Sequence, residues 1–118
     1  MQDFESQLET SREQSRLSKE HCGEDSKEYA VALYFEAKSL NYQQLTKSMA
    51  FTVVKKSISV WKKIPATQGV QDLGHAQALL LKATLLAQTM KKYRWAVKVY
   101  HKAAIILSEI KEPRVNLD

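Results

Sequence analysis

The chain has 118 residues, 44% of them hydrophobic, and carries 18 Lys and Arg against 13 Asp and Glu for a net charge of +5. Its single cysteine, Cys22, excludes an internal disulfide framework and a cysteine-based zinc site. No stretch approaches the roughly 18 uncharged apolar residues of a membrane span, and the polar start MQDFESQLETSREQS lacks the apolar core of a secretory signal.

An intracellular setting, cytoplasm or nucleus, is therefore expected. With only 3 Gly and 2 Pro, breakers are scarce, which favours long helices over a turn-rich β fold. The charge is unevenly spread. Residues 1–28 hold eight acids and four bases, whereas residues 29–118 hold five acids and fourteen bases. A basic packed region favours acidic partners, protein or nucleic acid. The organisation expected is an acidic polar segment at 1–24, a helical interaction domain at 25–112 and a frayed tail at 113–118.

Residues 2–20 permit a helix but are poorly amphipathic: Phe4 and Leu8 lie four apart, and Leu17 stands alone. They form a candidate N-terminal helix. A break follows at Cys22-Gly23-Glu24-Asp25. Asp25 and Glu28 have the spacing of a capping box, with Asp25 as N-cap, opening a helix over about 26–41. That helix is apolar on most sides from Tyr29 to Ala37, which predicts a central position.

Residues 43–64 are the clearest amphipathic helix. Met49, Ala50, Phe51, Val53, Val54, Ile58, Val60, Trp61 and Ile64 fall on one arc, opposite Gln44, Ser48, Thr52, Lys55, Lys56, Ser59, Lys62 and Lys63. Pro65 ends it, because the residue before proline is pushed out of α geometry. A loop is expected at 65–74. The helix after it, at 75–90, is nearly all apolar, with Ala76, Ala83 and Ala87 on one side as a line that lets another helix approach closely.

The last helix, KKYRWAVKVYHKAAIIL at 91–107, has two faces. Tyr93, Ala96, Val97, Tyr100, Ala103, Ala104 and Leu107 have the spacing of a buried stripe. Arg94, Trp95, Lys98, His101, Lys102 and Ile105 form the second face. The helices are expected to pair as two antiparallel hairpins, 26–64 and 75–111, in an all-α fold of four helices plus the candidate N-terminal one.

Within 79–108, Ala96, Tyr100 and Ala103 alternate small, aromatic and small residues, preceded by Tyr93 at the turn. In this the segment resembles a tetratricopeptide repeat. Leu80, Thr84 and Ser108 depart from the family's usual aromatic, Gly and Pro. The resemblance implies a tetratricopeptide-like scaffold that binds peptides or helices. The family's Lys, Asn and Arg clamp for acidic C-termini is not met by Lys82, Lys38 and Asn41.

The partner-binding candidates are Arg94, Trp95, Lys98, His101, Lys102 and Ile105, since Lys and Arg pair with carboxylates or phosphates and Trp is a frequent binding hot spot. The competing expectation is that acidic residues 2–20 cover them. Lys55, Lys56, Lys62 and Lys63 form a secondary basic surface, whose plain explanation is a solvated helix face. His21-Cys22 lies in an expected linker among acids, which disfavours a thiolate. His75 and His101 lack the spacing of a helical metal pair. No catalytic residue, metal site or cofactor is assigned. The expected function is a protein-interaction module for an acidic or amphipathic segment, self-association or assembly into a longer helical array included. The alternative is a basic helical domain for nucleic acid, with affinity falling steeply in salt.

Overall fold

A computed structural model of the chain describes residues 4–43, 46–64 and 73–111. They form α1 (Phe4–Cys22), α2 (Lys27–Leu40), α3 (Lys47–Lys63), α4 (Leu73–Gln88) and α5 (Tyr93–Lys111). No strand occurs among the described residues, so the class is all-α. No helix among them is long and apolar enough to cross a membrane. Contacts gather into two compact units, Met1–Ile64 and Pro65–Asp118. Of the loop expected at 65–74, residues 65–72 lie outside the described residues, as does the tail expected at 113–118; Leu73 and Gly74 belong to α4.

In the first unit, α1 packs on α2. Leu8 and Ser15 of α1 are buried, and the Ser11 and Ser39 hydroxyls lie 3.0 Å apart across the contact. Arg12 Nε approaches the Glu36 carboxylate at 3.9 Å. On the solvent side Arg16 pairs with Glu13 and, at 2.7 Å, with Glu20. Its hydrogen bond holds the Glu13 carboxyl below the ordinary value of 4.5. A carboxyl depressed in the folded state contributes stability at pH above its unfolded value, and the contribution is lost as pH falls through the folded value. Circular dichroism should therefore show α1 losing support below the ordinary carboxylate range. Glu13→Gln should flatten that part of the acid titration, by a small amount because both partners are solvated.

The helix α1 runs through His21 and Cys22, so this pair occupies its exposed last turn rather than a linker. Gly23 ends it at φ +97, a left-handed backbone that L side chains rarely adopt, and its N–H returns to Lys19 O at 3.1 Å. The cap of α2 falls one residue later than expected. Ser26, not Asp25, is the N-cap, accepting from Tyr29 N–H at 3.1 Å and donating to Gly23 O at 2.7 Å. The glycine turn puts the serine hydroxyl between these two groups. Glu28 remains in the first turn, where it suits the helix dipole without a capping box.

α2 is central, contacting both α1 and α3 as an antiparallel neighbour. Its small residues Ala30 and Ala37 are fully buried, and α3 buries Ala50, Val54, Ser57, Ile58, Val60 and Trp61. There fully buried Ser57 donates its hydroxyl to Ala30 O at 2.8 Å. That bond satisfies a polar group that would otherwise cost about 1–3 kcal/mol to bury. α3 starts four residues later than expected, because residues 41–43 turn and the Thr46 hydroxyl bonds back to Leu40 O and Gln43 O. Ala50, Val54, Ile58, Val60 and Trp61 are buried as expected, whereas Met49 is exposed and Phe51, Val53 and Ile64 are half-buried. The end behaves as the proline rule demands: Ile64 is extended at ψ 124.

In the second unit, α4 and α5 pack as a hairpin. α4 begins two residues before the expected start, taking in Gly74, and buries Ala76, Ala78, Leu79, Ala83, Leu85 and Leu86. A turn at 89–92 takes the last two residues of the helix expected at 75–90 and the first two of the one expected at 91–107. Lys91 adopts φ 57, which sends Lys92 N–H back to Leu86 O at 2.7 Å.

α5 corrects the expected core stripe. Its buried residues are Ala96, Val99 and Ala103, while Tyr93, Val97 and Tyr100 are exposed at 59%, 65% and 40% and Ala104 is exposed as well. The reason lies in α4, whose side toward the core is rich in alanine. Alanines at 96 and 103 let the two axes approach, and tyrosines in the same place would hold them apart. Tyr100 stays at the rim, its hydroxyl 3.2 Å from Thr84 Oγ1.

Candidate interaction surface on the last helix

A helix turning about 100° per residue leaves most of α5 outside the narrow strip made by Ala96, Val99 and Ala103. Arg94, Trp95, Lys98, His101, Lys102 and Ile105 are all exposed on it, Trp95 at 59% and Ile105 at 48%. The one-helix spacing brings all six onto a continuous arc. Lys98 Nζ sits 5.0 Å from the Trp95 ring centroid. A cation over an exposed indole contributes about 0.5–1 kcal/mol, enough to favour one orientation of the ring.

The arc is basic because Arg94, Lys98 and Lys102 face solvent together, with Glu109 the acid nearest to them along the helix. It offers an apolar anchor, a second apolar contact at Ile105 and several hydrogen-bond donors. Carboxylates and phosphates are both complementary to such donors, and charge-assisted bonds to them are roughly twice as strong as neutral ones. No nucleophile–base pair is assembled on this arc.

Lys55, Lys56, Lys62 and Lys63 are exposed on the outer side of α3, in the other unit. Lys55 Nζ lies 5.3 Å from the Phe51 ring centroid, and Lys63 Nζ is 3.7 Å from the Asp25 carboxylate. The four lysines thus share a face, and part of their charge is already answered within the unit.

Two features were not foreseen as functional. One is the exposed line Tyr93, Val97, Tyr100 and Ala104, which apolar periodicity alone reads as core. The signal that distinguishes it is the alternation of 4, 3 and 4 residues together with basic Arg94 and His101 at its margin. The other is a groove of about 360 Å³ beside α1 and α2, with Thr10, Ser11 and Lys38 between exposed Phe35 and Tyr42. It depends on how α1 settles, which the sequence of α1 does not announce.

No family model, no curated protein and no solved structure matches the chain.

Proposed function

We propose that the chain is a non-catalytic interaction module that binds an acidic or amphipathic segment of another protein through the Trp95 face of α5. The observation that carries this reading is Trp95, 59% exposed among Arg94, Lys98, His101 and Lys102, with Ile105 48% exposed beside them. Covering an apolar side chain of this size contributes about 1.5–3 kcal/mol, while the flanking bases select for carboxylates. Tetratricopeptide-like packing of α4 and α5 is part of the proposal. Buried Ala96 and Ala103 support it, whereas Tyr100, 40% exposed, meets Thr84 from the rim.

The test is a titration of the full chain with extended Glu-rich peptides that carry no leucine stripe, followed through tryptophan fluorescence and calorimetry. Trp95→Ala should weaken the tightest complex by about 30-fold, the loss of a hot spot worth about 2 kcal/mol. Lys98→Glu should weaken it too. Binding to an oligonucleotide that is steep in salt and indifferent to Trp95→Ala would move the assignment to nucleic acid. The exposed lysines of α3 would then carry the phosphate contacts.

A further inference from the structure

We infer that α5 carries a second docking line, distinct from the Trp95 face: Tyr93, Val97, Tyr100 and Ala104 form a seam for an amphipathic helix of a separate protein whose apolar stripe is flanked by acids. The inference shares the reading of the chain as an interaction module, but it concerns another side of the helix.

The spacing comes first. Successive steps of 4, 3 and 4 residues are those of a coiled-coil seam, which stays in line with a partner helix crossing at a shallow angle. In the intact fold this line faces solvent: Tyr93 is 59% exposed, Val97 65% and Tyr100 40%. Isolated exposed apolar residues need no explanation, but a continuous row of them does.

The relief of the row suits a helix. Large Tyr93 and Tyr100 alternate with smaller Val97 and Ala104, an alternation of size that a helix carrying Leu-sized side chains can interleave. Part of the row is also held in advance. The Tyr100 hydroxyl is 3.2 Å from Thr84 Oγ1 on α4, so less ordering is required of that ring when a partner arrives.

Charge identifies the occupant. Arg94 and His101, seven residues apart, each follow a seam residue and stand at the flanking position on one side. The residues flanking the other side, Ala96 and Ala103, are buried in the hairpin's own core. A second copy of α5 does not answer the basic margin. Antiparallel, it sets Arg94 and His101 against their own counterparts; parallel, it offers them the positions of Ala96 and Ala103. In neither orientation do they meet an acid, whereas an acid-flanked helix supplies one to each.

The test uses a synthetic four-heptad peptide with Leu at its core positions and Glu at its flanking positions, fluorescently labelled and titrated with the full chain. Binding followed by anisotropy should weaken more than about tenfold in Val97→Asp and stay near the parent value in Trp95→Ala. Arg94→Glu with His101→Glu should weaken the Glu peptide and gain binding to the same peptide with Lys in place of Glu. Val97 is largely exposed, and circular dichroism checks that the helices persist. Ala104→Asp gives the same reading should Val97→Asp fail that check.

Four results overturn the inference. Loss in Trp95→Ala with none in Val97→Asp puts the peptide on the Trp95 face, sparing the proposed function. No binding by the parent chain, or no response to any seam variant, removes the seam. Sedimentation that reveals a dimer dissolved by Val97→Asp makes the occupant a second copy.

Discussion

Trp61→Ala should cost about 3–5 kcal/mol of stability, the range for emptying a buried aromatic site. Trp61 lies in the last turn of α3 and is 5% exposed. Two terms act together there: the transfer free energy of the lost ring and the cavity left where neighbours relax only partly. Against a total stability of about 5–15 kcal/mol for an ordinary domain, this is a large share. Urea denaturation followed by far-ultraviolet circular dichroism measures it, as a fall in midpoint at nearly constant slope. Fluorescence gives an independent check. The protein has two tryptophans, one buried and one exposed, so Trp61→Ala should leave only the solvent-facing emission of Trp95. Trp61→Phe should recover most of the loss. A cost below about 1 kcal/mol would mean that the Trp61 site collapses freely, contrary to close packing in this unit.

Trp61 also marks what was legible beforehand. On α3 the apolar and charged residues separate cleanly, and every lysine placed on its polar arc is exposed. Pro65 fixed the end of the helix through local sterics alone. Those inferences need only the chain's own periodicity and covalent geometry. The N-cap of α2 needed more, because Asp25 and Ser26 are both good caps. The choice between them falls to Gly23, whose left-handed turn delivers the Ser26 hydroxyl to Tyr29 N–H. The docking of α1 was only partly legible for a related reason: beside Leu8, its contact with α2 includes paired serines, which carry no hydrophobic signal.

The surface on α5 divides in the same way. Arg94, Lys98, His101 and Lys102 announce an exposed arc wherever the helix packs, and the expectation for Trp95 followed from its place among them. The helix's rotation about its axis was not encoded in α5 alone. Two adjacent apolar lines compete there, Tyr93–Val97–Tyr100–Ala104 and Ala96–Val99–Ala103. The alanine-rich side of α4 selects the second. Periodicity finds apolar faces; only the neighbour decides which of them is used. The longer apolar line, left over by that choice, is the exposed row Tyr93–Val97–Tyr100–Ala104.

Leu85→Ala should reduce stability by about 2–5 kcal/mol and take binding with it by a different route from any surface variant. Leu85 is 1% exposed in α4, whose other buried residues of comparable size are Leu79 and Leu86. Much of the remaining core of this unit is alanine, which contributes little apolar area, so one leucine is a large part of what holds α5 in place. Once α5 loses its support, the Trp95 face and the seam cease to be preorganised, and apparent affinity falls in proportion to the folded fraction. Trp95→Ala and Val97→Asp remove contacts while leaving that fraction almost unchanged. The two causes separate by adding an osmolyte such as sucrose or trimethylamine N-oxide, which strengthens burial without touching the binding surface. Binding by Leu85→Ala should recover as its helicity recovers, while the surface variants should stay weak. Recovery in all three would mean that the exposed side chains act by supporting the hairpin, and failure of Leu85→Ala to lose helicity would remove α4's role as the support of the interaction surface.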